Sequence, residues 1–176
     1  NAALIYSTLS GKDLETIKLG DVIDIVMGQA PPGKKCNKNG DGIPFVKAGE
    51  FRKISPVIRE WTTEPKKHGK KSDVFLCVVG ATCGKINYGT DCAIGRSVAA
   101  LRPNCHKLNQ RFLYYFMSQK VQHLRSGSKG AAQTVISKDM INNLLVFLPS
   151  LTVQKQIVSK LDTVVTEIDS IKDAVT

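Results

Sequence analysis

Between residues 74 and 103 the apolar residues come in runs too short to make a helix. VFLCVV (74–79) stops at Gly80, KINY (85–88) stops at Gly89, and CAIGRSVAALRP (92–103) is cut internally by Gly95. A run of four to eight apolar residues bounded by glycine fits a buried strand, whereas a stable helix needs more turns than such a run can close. This stretch predicts a β core with tight turns, and the rest of the chain must fold around it.

The flanking segments add both kinds of element, so the fold class expected is α+β. IKLGDVIDIVMG (17–28) reads as a short helical turn or strand start followed by apolar alternation, and Pro31-Pro32-Gly33 then opens a polar loop, KKCNKNGDG. IPFVKAGEF (43–51) predicts a strand starting at Pro44, where a missing N–H is tolerable. TTEPKKHGKKSD (62–73) is a second polar loop. Residues 109–127 predict a helix capped by Asn109 and stopped by Gly127, with Leu113, Phe116, Met117, Val121 and Leu124 on one face. ISKDMINNLLVFLP (136–149) predicts a turn capped by Ser137 and a buried strand ending at Pro149.

The last segment is of another kind. Val153, Ile157, Leu161, Val164, Ile168, Ile171 and Val175 recur at alternating spacings of four and three, the seam of a helix that meets another helix. At 25 residues it would be roughly 37 Å long. The expected organisation is a globular domain over residues 1–150 and a projecting dimerisation or spacer helix over 151–176. A terminal helix lying along its own domain is the alternative.

Charge points to a partner. Residues 31–130 contain 19 Lys and Arg against 6 Asp and Glu, while the remaining residues are slightly acidic. A positive field concentrated in mid-chain suits a polyanion, most often nucleic acid. Five cysteines, an odd number without a Cys-x-x-Cys pair, predict reduced thiols in a cytoplasmic protein and no metal site. No apolar stretch spans a bilayer, no signal peptide opens the chain, and no membrane partner is expected. Because the chain starts at Asn1, its ends are not read as natural ends.

Two motifs imitate catalytic sites. VVGATCGKI (78–86) nearly matches a phosphate-binding loop, but that loop needs four residues between Gly and Gly-Lys, then Ser or Thr for magnesium; here three intervene and Ile86 follows. Glu64-Pro65-Lys66 resembles the Glu-x-Lys element of metal-dependent nucleases, yet Pro65 cannot sit within a strand ladder and no strand-borne Asp precedes it. His68, His106 and His123 form no nucleophile motif, and the Asn/Asp-Pro-Pro-aromatic loop of amino-methylating enzymes is absent. A nuclease built on Glu64 and Lys66, or a protein-interaction module, stands as the alternative function.

Three stretches together resemble a known family. KLGDVIDIVMGQAPP matches its opening segment, AIGRSVAALRP its glycine-arginine strand, and GSKGAAQTVISKDMINNLLVFLPSLTVQKQIVSKLD (127–162) its signature: a Gly-Ala-Ala loop, a capped turn, a strand ending in Pro and a Gln-x-x-Ile-Val helix start. The family is the specificity (S) subunit of type I restriction–modification enzymes, and the resemblance covers nearly the whole chain. It implies a target-recognition domain and one spacer helix, without catalytic residues, cofactor or metal. The implied partners are double-stranded DNA and the methyltransferase (M) and restriction (R) subunits. A full subunit holds two recognition domains, so this chain looks like half of one. It either dimerises through its helix or is completed by a second half-subunit.

On that reading the loops carry DNA contacts: Lys34, Lys35, Asn37, Lys38 and Asn39 in the first; Lys66, Lys67, His68, Lys70 and Lys71 in the second; and Arg52, Lys53, Lys85 and Lys129 besides. Lysine and arginine suit phosphate or guanine, and asparagine suits adenine. Arg96, at the start of a strand, is expected to be structural.

Overall fold

The computed structural model describes residues 16–127 and 135–175. Its centre is the antiparallel pair β7 (Val74–Cys77) and β10 (Val98–Pro103), in which Val98 faces Cys77, Ala99 faces Leu76 and Ala100 faces Phe75. Successive side chains in a strand point to opposite faces, and here both faces are covered. Val74, Leu76, Ala99 and Leu101 enter a core shared with the helices, whereas Phe75, Cys77, Val98 and Ala100 enter a second core with Val46, Phe51, Cys92 and Ile94. That double burial is why this stretch carries no polar alternation.

Around the pair, β2 (Ile23–Met27) and β8 (Ile86–Tyr88) complete a four-stranded sheet in the order β2-β10-β7-β8. A second sheet of five short strands runs β3 (Cys36–Asn37), β5 (Trp61–Thr62), β4 (Ile43–Val46), β9 (Cys92–Ile94), β6 (His68–Gly69). AIGRSVAALRP is therefore two strands in different sheets, joined by a turn at 95–97. The strand expected at Pro44 begins one residue earlier, and Pro44 sits opposite Trp61.

The helices close the other face. In α1 (Gln110–Gly127) Asn109 Oδ1 accepts the N–H of Arg111 (2.9 Å) and of Phe112 (3.1 Å), the expected cap, and Leu113, Met117 and Leu124 are buried. Ser137 Oγ caps the short α2 (Lys138–Asn142) by accepting the Met140 N–H at 3.2 Å. The strand expected to be buried after it, β11 (Leu145–Phe147), pairs among the described residues only with β1 (Thr16–Lys18), so Val146 is buried while Leu145 and Phe147 face outward.

In α3 (Leu151–Val175) the seam divides. Ile157 and Val158 are buried and Val153 and Leu161 pack against the same core, but Val164, Val165, Ile168 and Ile171 are each at least 44% exposed. Among the described residues the last polar tie from α3 to the domain is Asp162, whose Oδ1 accepts from Arg111 Nη2 at 2.7 Å and from the Tyr115 hydroxyl. Lys129 and the Gly-Ala-Ala loop lie outside the described residues, as does the side chain of Val175.

Candidate nucleic-acid interface

The first loop leaves the Pro31-Pro32 corner through a 3-10 turn, Gly33–Lys35, that holds Lys34 and Lys35 exposed. Asn37 closes the loop on itself: its Oδ1 accepts the Asp41 N–H at 3.1 Å and its Nδ2 donates to the Asp41 carbonyl at 2.8 Å. Asn39 Nδ2 donates to Asp41 Oδ2 at 2.8 Å. Both ends of the Asn37 amide are engaged within the loop, so it shapes the backbone from which exposed Lys38 projects.

The second polar stretch, which leaves β5 and passes through the short β6 to β7, exposes Lys66, Lys67, His68, Lys70 and Lys71. Its anchor is Asp73, which is fully buried and was missed in the sequence because it closes a polar stretch. Arg102 grips the carboxylate with two parallel bonds, Nε to Oδ1 and Nη2 to Oδ2, each 2.9 Å. The Lys70 N–H donates to the same carboxylate at 2.8 Å. Gln110 Nε2 donates to the carbonyls of Lys71 and Asp73, both at 2.8 Å, and the Lys71 N–H donates to Asp91 Oδ1 at 3.1 Å. A bidentate pair inside a fully bonded network holds a loop far more firmly than an exposed ion pair does.

The two loops meet. β3 pairs with β5, and the Thr63 N–H donates to the Lys35 carbonyl at 3.1 Å. Glu64 senses both: the hydrogen bond and charge of Lys66 hold its carboxyl below the ordinary value, and the charge of Lys35 adds to that. Glu64 is thus engaged with Lys66 in a bend, not on a strand, and among the described residues no three His, Cys, Asp or Glu are grouped to hold a metal. The nuclease alternative has no support in this geometry.

Arg52, Lys53 and Lys85 group elsewhere, along β8 of the other sheet. Buried Asn87 clamps the Arg52 backbone, accepting its N–H at 3.1 Å and donating to its carbonyl at 2.8 Å, while Arg52 Nη1 donates to the carbonyls of Gly49 and Phe51. Lys85 is exposed where a tight hairpin joins β7 to β8. Gly80 and Gly84 take φ of 87° and 91°, and the Gly84 N–H donates to the Cys77 carbonyl at 2.7 Å. VVGATCGKI is therefore a strand-to-strand turn.

Comparison with known proteins decides the family. The profile described as the type I restriction modification DNA specificity domain matches residues 11–175. The chain belongs to that family. The specificity domain is 31% identical over 154 residues to the MjaX type I restriction enzyme specificity subunit of Methanocaldococcus jannaschii, covering 85% of this chain and 36% of that protein. Its fold superposes on the HsdS subunit from Thermoanaerobacter tengcongensis with a TM-score of 0.82 at 31% identity, over 98% of this chain and 45% of the other. The S subunit from M. genitalium shares the fold at 16% identity, with a TM-score of 0.65 over 94% of this chain and 42% of that one. The chain spans about a third of the length of the curated relatives it matches.

The residues behind the resemblance are joints of the specificity domain. In the Gln-x-x-Ile-Val start of α3, buried Gln154 accepts the Asn109 N–H at 2.8 Å and donates to the carbonyls of Lys107 and Pro149, both at 2.8 Å. One side chain thus fastens the 107–109 segment and Pro149 to the start of α3, with its oxygen and its nitrogen both engaged. Ile157 and Val158 complete the contact with the core. Of the five free cysteines, Cys77, Cys83 and Cys92 are buried and Cys105 is exposed. No helix among the described residues is long and apolar enough to cross a membrane.

Proposed function

We propose that this chain is the DNA-reading component, or half of it, of a type I restriction–modification system, recognising one half of a bipartite target. The recognition unit is residues 1–150. The outward part of the 151–176 helix takes a second helix, from another copy of the chain or a second half-subunit. The chain supplies no catalysis; partner methyltransferase and restriction subunits, directed to the site, modify or cut the DNA. A cytoplasmic location accompanies that role. The observation that carries the reading is the convergence of two lysine loops, 34–39 and 66–71, on the short strands of one sheet in a chain of this family.

Phosphate contacts by these lysines supply affinity and orientation, so binding falls steeply with salt. Base discrimination comes from the few side chains that reach major-groove edges. Asn39, with its Oδ1 uncommitted to the loop, and His68 suit that task better than Asn37. The decisive experiment combines the chain with the methylating subunit of its own system and maps methylated adenines. Methylation at a single sequence class is expected. Random methylation, or DNA cleavage by the purified chain with magnesium that Glu64→Ala abolishes, would overturn the proposal.

A further inference from the structure

Three motifs distant in sequence meet at one open groove. It is lined by Pro31 and Gly33 of the first loop, Gly80 of the hairpin, Lys47 after β4, and the 95–97 turn between β9 and β10. That turn is where the two sheets are stitched together. The Gly95 N–H donates to the Val46 carbonyl, the Val98 N–H to the Gly95 carbonyl and the Val78 N–H to the Ser97 carbonyl, each at 2.9 Å. Ser97 Oγ accepts the Ala48 N–H at 3.1 Å. The turn around Arg96 is therefore closed on itself and tied to two other segments, 46–48 and Val78.

The side chain of Arg96 is not fixed by any of them. It is exposed, and it has no hydrogen-bond or ion-pair partner among the described residues. Arg102, six residues on, shows the contrast: a structural arginine in this fold is gripped by a buried carboxylate. Lys47, the other cation of the groove, is neutralised by Glu60 at 2.7 Å. The groove thus holds one uncompensated guanidinium on a rigid support, and Gly33, Gly80 and Gly95 put no side chain into it. An unpaired arginine fork rooted in a fixed turn, beside bare backbone, suits a phosphate, which it can bind with two parallel bonds.

We propose that Arg96 contacts the DNA sugar-phosphate backbone, and that the groove seats one strand beside the first lysine loop. The inference rests on the DNA-recognition reading and adds to it a contact that positions the duplex without reading sequence. The test measures binding of the full 176-residue chain to a duplex carrying the methylated target and to a scrambled duplex, by fluorescence anisotropy over a range of salt. Arg96→Ala should weaken binding to both duplexes by the same factor and reduce the slope of log affinity against log salt by about 1. Arg96→Lys should keep the slope while recovering only part of the affinity, and both variants should melt as the parent does. Unchanged binding by Arg96→Ala overturns the groove assignment alone. A loss confined to the target duplex overturns it too, in favour of a base contact. If the parent chain binds neither duplex, the DNA-recognition reading itself falls. Should Arg96→Ala melt early, Arg96→Gln provides the same comparison in a folded chain.

Discussion

A buried carboxylate at Asp73 governs residues it does not resemble. Its two oxygens are held by Arg102 and the Lys70 N–H, and its carbonyl receives Gln110. Asp73→Ala leaves the half-buried guanidinium and the loop amide without their partner. The expected loss is about 3 kcal/mol in urea unfolding, the scale for breaking a buried pair from one side. Gln154→Ala, which orphans an N–H and two carbonyls, should cost about 1–3 kcal/mol in the same measurement. The thiols give a check on burial. Cys92 is pushed up to about 12, first by burial and then by the charges of Asp73 and Asp91, and burial also raises Cys83. A thiol raised this way stays protonated and unreactive well above neutral pH. At pH 8 iodoacetamide should label Cys105 quickly and reach Cys83 and Cys92 only on unfolding, as read by mass spectrometry of digests.

At the scale of elements, the hairpin and α3 make the sharpest contrasts. Gly84 combines a left-handed φ of 91° with a close neighbour: an added Cβ would lie 2.5 Å from Val121 Cγ1. Gly84→Ala should therefore destabilise by about 1–3 kcal/mol and separate the hairpin from α1. Along α3 the same chemical change should act differently at two seam positions. Leu161→Glu places a charge against the core and should lower the melting temperature. Ile168→Glu, on a residue 45% exposed, should leave melting unchanged and weaken self-association or subunit assembly, measured by light scattering over a concentration series. Equal effects of the two on folding would remove the distinction between a docked and an outward part.

For the molecule as a whole, β7 and β10 are the shared wall between two cores, and both lysine loops and the 95–97 turn hang from the sheet on its far side. Charge in those loops should then act as one field. Replacing Lys34, Lys35, Lys66 and Lys67 together by Ala should flatten the salt dependence of DNA binding by about 0.9 for each residue that meets a phosphate. The melting temperature should hardly move, because all four are exposed.

What was readable from the sequence was whatever rests on local rules. Glycine-bounded apolar runs marked β7, β8, β9 and β10, Asn109 and Ser137 announced their caps, and the charge balance singled out the basic middle of the chain. The spacing that denied VVGATCGKI a nucleotide also left it as a turn. Only the tertiary structure could show which lysines share a surface, because β3, β5 and β6 are two residues long and owe their existence to pairing across the chain. The same holds for Asp73, whose importance depends on an arginine 29 residues away, and for β11, exposed on one side because none of the described layers covers it. Arg96 and Arg102 look alike in the sequence. Their difference is one of surroundings, a buried carboxylate beside one and open groove beside the other, and only three-dimensional packing assigns surroundings.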